Sequence, residues 1–326
     1  MRTTLFTLLL CVLACTCGRA QSYEVNVHPG QELLTVIQIL ADRYPTPNKS
    51  AYAKDMEAHF RQHENHPAVK AMAEMSEKIY TDFPELGWCF YDFPTFKLSI
   101  PETNLWYDLY GKDTVQQVVR LAKDFADTSD FWSFYEAHKA DYQAWGSDVR
   151  HALDSLGYVE KLDAFFSRQV TGERPTFYIA MDPLNSWGAH AIPHLEEINP
   201  YYNGTKAYSL GYWNRESTEK DSPSFKGGNF LPNLVWHEGS HIYLKSVLDG
   251  QDELIESIAH LYNGDERSMQ RQNISTWHYC FEENLVRGIV IALNGQHRTH
   301  RQRRVQAAKE LINGFLYAED IAAWLE

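Results

Sequence analysis

The chain is short of cysteine and has no excess of positive charge. Five Cys occur in 326 residues, and three of them, Cys11, Cys15 and Cys17, fall within the first twenty. Only Cys89 and Cys280 lie beyond, which excludes a disulfide framework and a zinc site built on cysteine. One bridge between these two stays open, because sequence does not give their distance. Lys and Arg number 30 against 43 Asp and Glu, a net charge of −13, so phosphate binding is not the chain's main business and no nucleic-acid partner is expected. Past the N-terminus no stretch approaches the roughly 18 apolar residues of a membrane-spanning helix. Internal repeats and low-complexity tracts are also lacking. What is plentiful is aromatic surface, with 9 Trp, 19 Tyr and 16 Phe in a composition that is 44% hydrophobic. That supply suits one or two well-packed globular cores.

Residues 1–20 combine Arg2, an apolar run from Leu5 to Ala14, and the small residues Gly18 and Ala20 placed three and one before Gln21. This is how a signal peptide and its cleavage site are built. The mature chain is expected to start at Gln21, and losing Arg2 and Arg19 takes the net charge from −13 to −15. Export to a periplasmic or extracellular location follows, with no transmembrane segment in the mature chain. Val12-Leu13-Ala14-Cys15 resembles a lipobox, so a lipid anchor at Cys15 is the competing expectation.

From Gln21 to residue 174 the pattern is mainly helical: Leu33, Val36, Ile37 and Leu40 recur at helical spacing, as do Val115, Val118, Val119 and Ala122. Pro84, Pro94 and Pro101 interrupt it between Phe83 and Pro101, where a structured loop or short strands are expected. After Pro175 the segments Thr176 to Met181 and Lys206 to Trp213 are short, aromatic and bounded by turn residues, so they read as strands. Ser224 to Asn229 reads as a loop, and helices resume at Pro232. The basic run Arg298 to Arg304 reads as the solvated start of the last helix. His59, His63 and His66 have ligand spacing but no carboxylate placed as a base, so they read as a solvated helix face.

The informative segment is Leu234-Val235-Trp236-His237-Glu238-Gly239-Ser240-His241-Ile242-Tyr243-Leu244. On a helix His237 and His241 are i and i+4, so both imidazoles leave one face a turn apart and can bind one zinc ion. Glu238 lies beside that face, where its carboxylate can reach a water held by the metal. With 14 His and 24 Glu in the chain, chance would give H-E-x-x-H only about 0.04 times. A third protein ligand is needed. Leu244 and Val247 stand where an extended His-based motif would need Gly and His, so the ligand lies further on. Glu283 is favoured, because Arg287 one turn later can hold its second oxygen. Glu282 is the next choice, then Glu256 or His260.

His237 to His241, with Trp277 followed by Glu283 and Leu285-Val286-Arg287, resembles a group of secreted bacterial proteins taken to be zinc metallopeptidases of the zincin type with a glutamate third ligand. Met181-Asp182-Pro183-Leu184 and Trp187-Gly188 are similar to that group's segment upstream of the helix. The likeness covers Thr176 to Leu293, and Gly288 stands where Ala is more usual. It implies an α+β fold: a zincin-like catalytic half at 175–326, with a small sheet and the active-site helices, behind a mainly helical region at 21–174. It implies Zn²⁺ held by His237, His241 and Glu283, with Glu238 as general base acting on a peptide or protein substrate. Ser186 to Ile192 would be the strand that pairs with extended substrate. His190 there is a candidate oxyanion donor, although a turn histidine beside Pro193 is the simpler reading. Tyr201, Tyr202 and Tyr208 are further candidates that read more simply as packing residues. The competing functions are a secreted peptide- or glycan-binding protein with a structural zinc, and hydrolysis of a non-peptide amide. Oligomeric state is not fixed by any of these features.

Overall fold

The computed structural model describes residues 23–45, 49–75, 78–155, 157–166, 176–186, 188–212, 220–225, 230–262, 267–272, 274–295 and 299–326. The expected signal peptide, Cys15, Trp187, Trp213, the Gly227-Gly228 loop and Arg298 lie outside them. The fold is α+β: 64% of the described residues are helical, beside a small mixed sheet and a two-stranded antiparallel pair. In chain order its elements are β1 (Tyr23–Asn26), α1 (Pro29–Leu40), α2 (Ala51–Phe60) and α3 (Pro67–Ala73). After a 3-10 segment at Phe83–Cys89 come β2 (Phe90–Tyr91), β3 (Lys97–Leu98), α4 (Leu105–Tyr110), α5 (Lys112–Thr128), α6 (Phe131–Ala137), α7 (Lys139–Asp154) and α8 (Tyr158–Phe166). The second half contains β4 (Thr176–Asp182), β5 (Ala189–Ile192), α9 (Leu195–Ile198), β6 (Thr205–Gly211), α10 (Phe230–Leu248), α11 (Asp252–Ser257), α12 (Arg267–Arg271), α13 (Trp277–Gly295), α14 (His300–Ile312) and α15 (Ala318–Leu325). The basic run therefore opens the penultimate helix, α14, and α15 follows it.

The four-stranded sheet runs β1-β4-β6-β5, with β1 and β6 parallel to β4 and β5 antiparallel to β6. In the central pair, Phe177 and Ile179 to Met181 of β4 and Ala207 to Leu210 of β6 are buried. A strand covered on both faces carries apolar residues in succession rather than in alternation. β5 ends the sheet, and α10 packs across β5 and β6.

Helix α1 enters the interior. His28 caps it by accepting from the Gln31 amide (3.2 Å), and Pro29 sits in its first turn. Its apolar stripe of Leu33, Val36 and Ile37 is buried as the periodicity predicts, but Gln31, Glu32, Thr35 and Gln38 on the other face are buried too. Partners supplied from elsewhere stabilise them: Gln31 donates to Ser209 Oγ (2.8 Å) on β6, and Glu32 accepts from Tyr52 (2.7 Å) on α2. The helix start meets the 3-10 segment backbone to backbone, since a Cβ on Gly87 would stand 2.1 Å from the Gly30 carbonyl oxygen. One apolar cluster extends from Val25 to Leu293. A second, containing Ile255, Trp277 and Phe315, lies under α13, α14 and α15.

Cys89 and Cys280 are both buried, and no disulfide joins them. His59, His63 and His66 are not a solvated face. His66 caps α3 by accepting from Ala68 (3.1 Å), His59 bonds the Ser129 carbonyl (3.2 Å), and all three rings pack edge-on against Phe60 or Phe125. No helix among the described residues is long and apolar enough to cross a membrane.

Candidate metal centre

Two helices build the site. α10 carries His237, Glu238 and His241, and α13 packs against it carrying Tyr279, Glu282, Glu283 and Arg287. α10 ends at Leu248, and Gly250 two residues on has a φ of +71°, which suits the left-handed stop after a helix. The His237 and His241 rings lie 5.1 Å apart, one helical turn along the same face. His237, Glu238 and His241 place ligand atoms within 4.8 Å of one another.

Glu283 reaches the same two histidines. Its Oε1 lies 3.3 Å from His241 Nε2 and its Oε2 lies 3.8 Å from His237 Nε2. Glu238 also lies close to the histidines, so the group offers two carboxylates for one role. Glu283 suits it better: it comes from the facing helix, whereas adjacent positions on one helix point about 100° apart, which leaves Glu238 beside the two imidazoles. For metal bonds of 2.0–2.1 Å in a tetrahedron, donors stand about 3.4 Å apart. The observed separations are close to that, so the residues present fit a zinc ion.

The surrounding groups hold these donors in place. Arg287 donates to Glu283 Oε2 through Nε (3.1 Å) and also reaches it with Nη2 (3.0 Å), while its Nη1 pairs with Glu310 (2.8 Å) and its guanidinium lies 3.7 Å over the Phe315 ring. Glu282 bonds His241 Nδ1 at 2.7 Å. With the proton on Nδ1, that bond leaves the Nε2 lone pair aimed at the site, the arrangement that orients a ligating histidine. Burial opposes charge on Glu283, but His237, His241 and Arg287 together hold it well below the usual carboxylate range. Burial also opposes charge on His241, and the bonds to Glu282 and Glu283 overcome it, raising its pKa to about 10.

Two cavities, of about 750 and 700 Å³, meet at His237 and Glu238. The second is walled by β5 and the loop before it, and its lining includes His190 as well as His237 and His241. His190 Nδ1 lies 3.7 Å from Asp82, and its Nε2 is buried with no partner among the described residues. The other oxyanion candidates lie elsewhere. Tyr202 donates to the Phe90 carbonyl (2.8 Å), Tyr208 is buried in the sheet, and Tyr201 leans on Tyr91. Tyr279, absent from those candidates, lines the second cavity. Its position four residues before Glu283 puts it on the same helix face, and that spacing was the available signal. Glu256 lies 3.6 Å from His278, and neither it nor His260 lines either cavity.

No curated protein and no solved structure matches the chain. Residues 32–326, nearly the whole sequence and all of the residues just described, match the domain of unknown function DUF4932. The chain belongs to the DUF4932 family.

Proposed function

We propose that the chain is a zinc-dependent hydrolase, acting most naturally on peptide bonds and exported by its N-terminal segment. The observation that carries the reading is the convergence of His237, His241 and Glu283 at donor separations of 3.3 and 3.8 Å, with a further buried carboxylate, Glu238, alongside. A structural metal site needs no such extra carboxylate. Bound zinc would polarise the substrate carbonyl and acidify water.

The chain's own residues supply the rest. His237, His241 and Glu283 hold the metal, and Glu282 and Arg287 keep two of them in position. Glu238 takes a proton from the attacking water as that oxygen bonds to the carbonyl carbon. It then passes the proton to the departing amine nitrogen as the C–N bond breaks, leaving a carboxylic acid and an amine. β5, at the sheet edge and along the second cavity, offers backbone groups to an extended peptide.

The test is to load the purified protein with zinc and expose it to a mixed peptide library, then chelate the metal and restore it. Cleavage that disappears with chelation and returns with zinc supports the reading. One tightly held zinc with no cleavage of any peptide would turn the assignment to a secreted binding protein.

A further inference from the structure

The two cavities that meet at His237 and Glu238 differ in their charge. The far wall of the 750 Å³ cavity is α14, which presents Arg301, Val305 and Lys309 four residues apart and therefore along one stripe. Arg301 and Lys309 are exposed, and neither makes an ion pair among the described residues. The acid on that wall, Glu310, is engaged by Arg287 at 2.8 Å. In a chain of net charge −13, this wall leaves two uncompensated cations facing the site. The 700 Å³ cavity on the other side has no Lys or Arg among its described lining residues and contains Asp82. Its rim holds Tyr80, Leu105, Leu109 and Tyr279, four of the ten large apolar side chains that the described residues leave exposed. Apolar side chains gathered at a rim mark a contact surface, whereas scattered ones do not.

We propose that Arg301 and Lys309 form a carboxylate-binding subsite on one side of the bond to be cut, and that Tyr80, Leu105, Leu109 and Tyr279 receive an apolar side chain on the other. The inference rests on reading the metal centre as a peptidase site, and it names the substrate class as peptides with an apolar residue and a carboxylate flanking the cleaved bond. The carboxylate comes either from an Asp or Glu side chain or from the peptide's own C-terminus. The two sources present the same group to the same cations.

Binding is measured without turnover, by fluorescence anisotropy on the zinc-loaded Glu238→Gln protein. The probes are matched eight-residue peptides with Phe beside Asp, Asn or Lys in both orders, each with a free or an amidated C-terminus. Asp over Asn in the amidated set reports a side-chain carboxylate, and free over amidated in the Asn set reports a terminal one. At least one contrast should reach about tenfold, the sum of two exposed ion pairs, and should shrink as salt is raised. It should vanish in Arg301→Ala/Lys309→Ala, and Arg301→Glu/Lys309→Glu should favour Lys, both with zinc retained. Equal binding of all probes, no binding by any of them, or a preference that survives the double alanine change would overturn the subsite. Acid-dependent binding in a protein whose wild type cuts nothing would sink the peptidase reading and leave the subsite. Cleavage indifferent to acid would do the reverse.

Discussion

On the proposed reading the neighbours Glu282 and Glu283 have different jobs, and exchanging each for Gln should separate them. Glu283 is 5% exposed and presents one oxygen 3.3 Å from His241 Nε2, with Arg287 on the other oxygen. Sharing the roughly 10–16 kcal/mol of structural zinc binding among four ligands gives ~2.5–4 kcal/mol each, so Glu283→Gln should weaken zinc by about 70- to 1000-fold. Glu282 touches His241 only through Nδ1, at 2.7 Å, and loss of such an outer contact costs about 10- to 100-fold. Gln keeps the length of both side chains, so Arg287 is not left with an emptied pocket beside it. Competition with a chromogenic zinc chelator at fixed pH reads both affinities. Zinc affinity lost more severely in Glu282→Gln than in Glu283→Gln would refute the assignment of ligand and support.

Two further predictions concern stability. Burial, opposed by the Trp106 hydrogen bond (2.6 Å) and by His190, raises the Glu85 pKa from 4.5 to about 7, and Asp82 pushes it the same way as burial. A carboxyl with a raised folded pKa contributes its stability fully below about pH 4.5 and loses it as pH climbs through 7, a swing of about 3 kcal/mol. Thermal melts should therefore show wild type losing stability between pH 5 and pH 8 relative to Glu85→Gln, and parallel profiles would contradict the burial argument. Gly87→Ala would set a Cβ 2.1 Å from the Gly30 carbonyl oxygen, and urea unfolding should show a loss of about 3 kcal/mol. An unchanged midpoint would mean that α1 does not meet the 3-10 segment backbone to backbone.

The sequence made some of this legible because local spacing and local structure coincide. His237, Glu238 and His241 lie within two helical turns, so their relative placement follows from helix geometry alone. The choice between Glu282 and Glu283 does not, because it depends on which face of α13 meets α10, a contact across forty residues. Both carboxylates reach His241 by different ring nitrogens. The N-terminal strand was not visible either. Tyr23–Asn26 is four residues long with only Val25 buried, and it pairs in parallel with β4 some 150 residues away. The polar face of α1 was a different case, because Gln31 and Glu32 resemble solvent-facing residues until Ser209 and Tyr52 are brought to them. The histidines at 59, 63 and 66 show the converse: ligand-like spacing at positions used for capping and ring packing.

In the proposed mechanism Glu238 acts on water and substrate while His237, His241 and Glu283 hold the metal. The most direct measurement is zinc content and peptide cleavage rate, taken together, for wild type and Glu238→Gln. The substitution keeps the side chain's size and removes its basicity, and a positioned base contributes about 10²- to 10⁴-fold. One zinc per chain is expected in both proteins, with a rate lower by a factor in that range in the variant. Equal rates, or zinc lost along with the carboxylate, would contradict it.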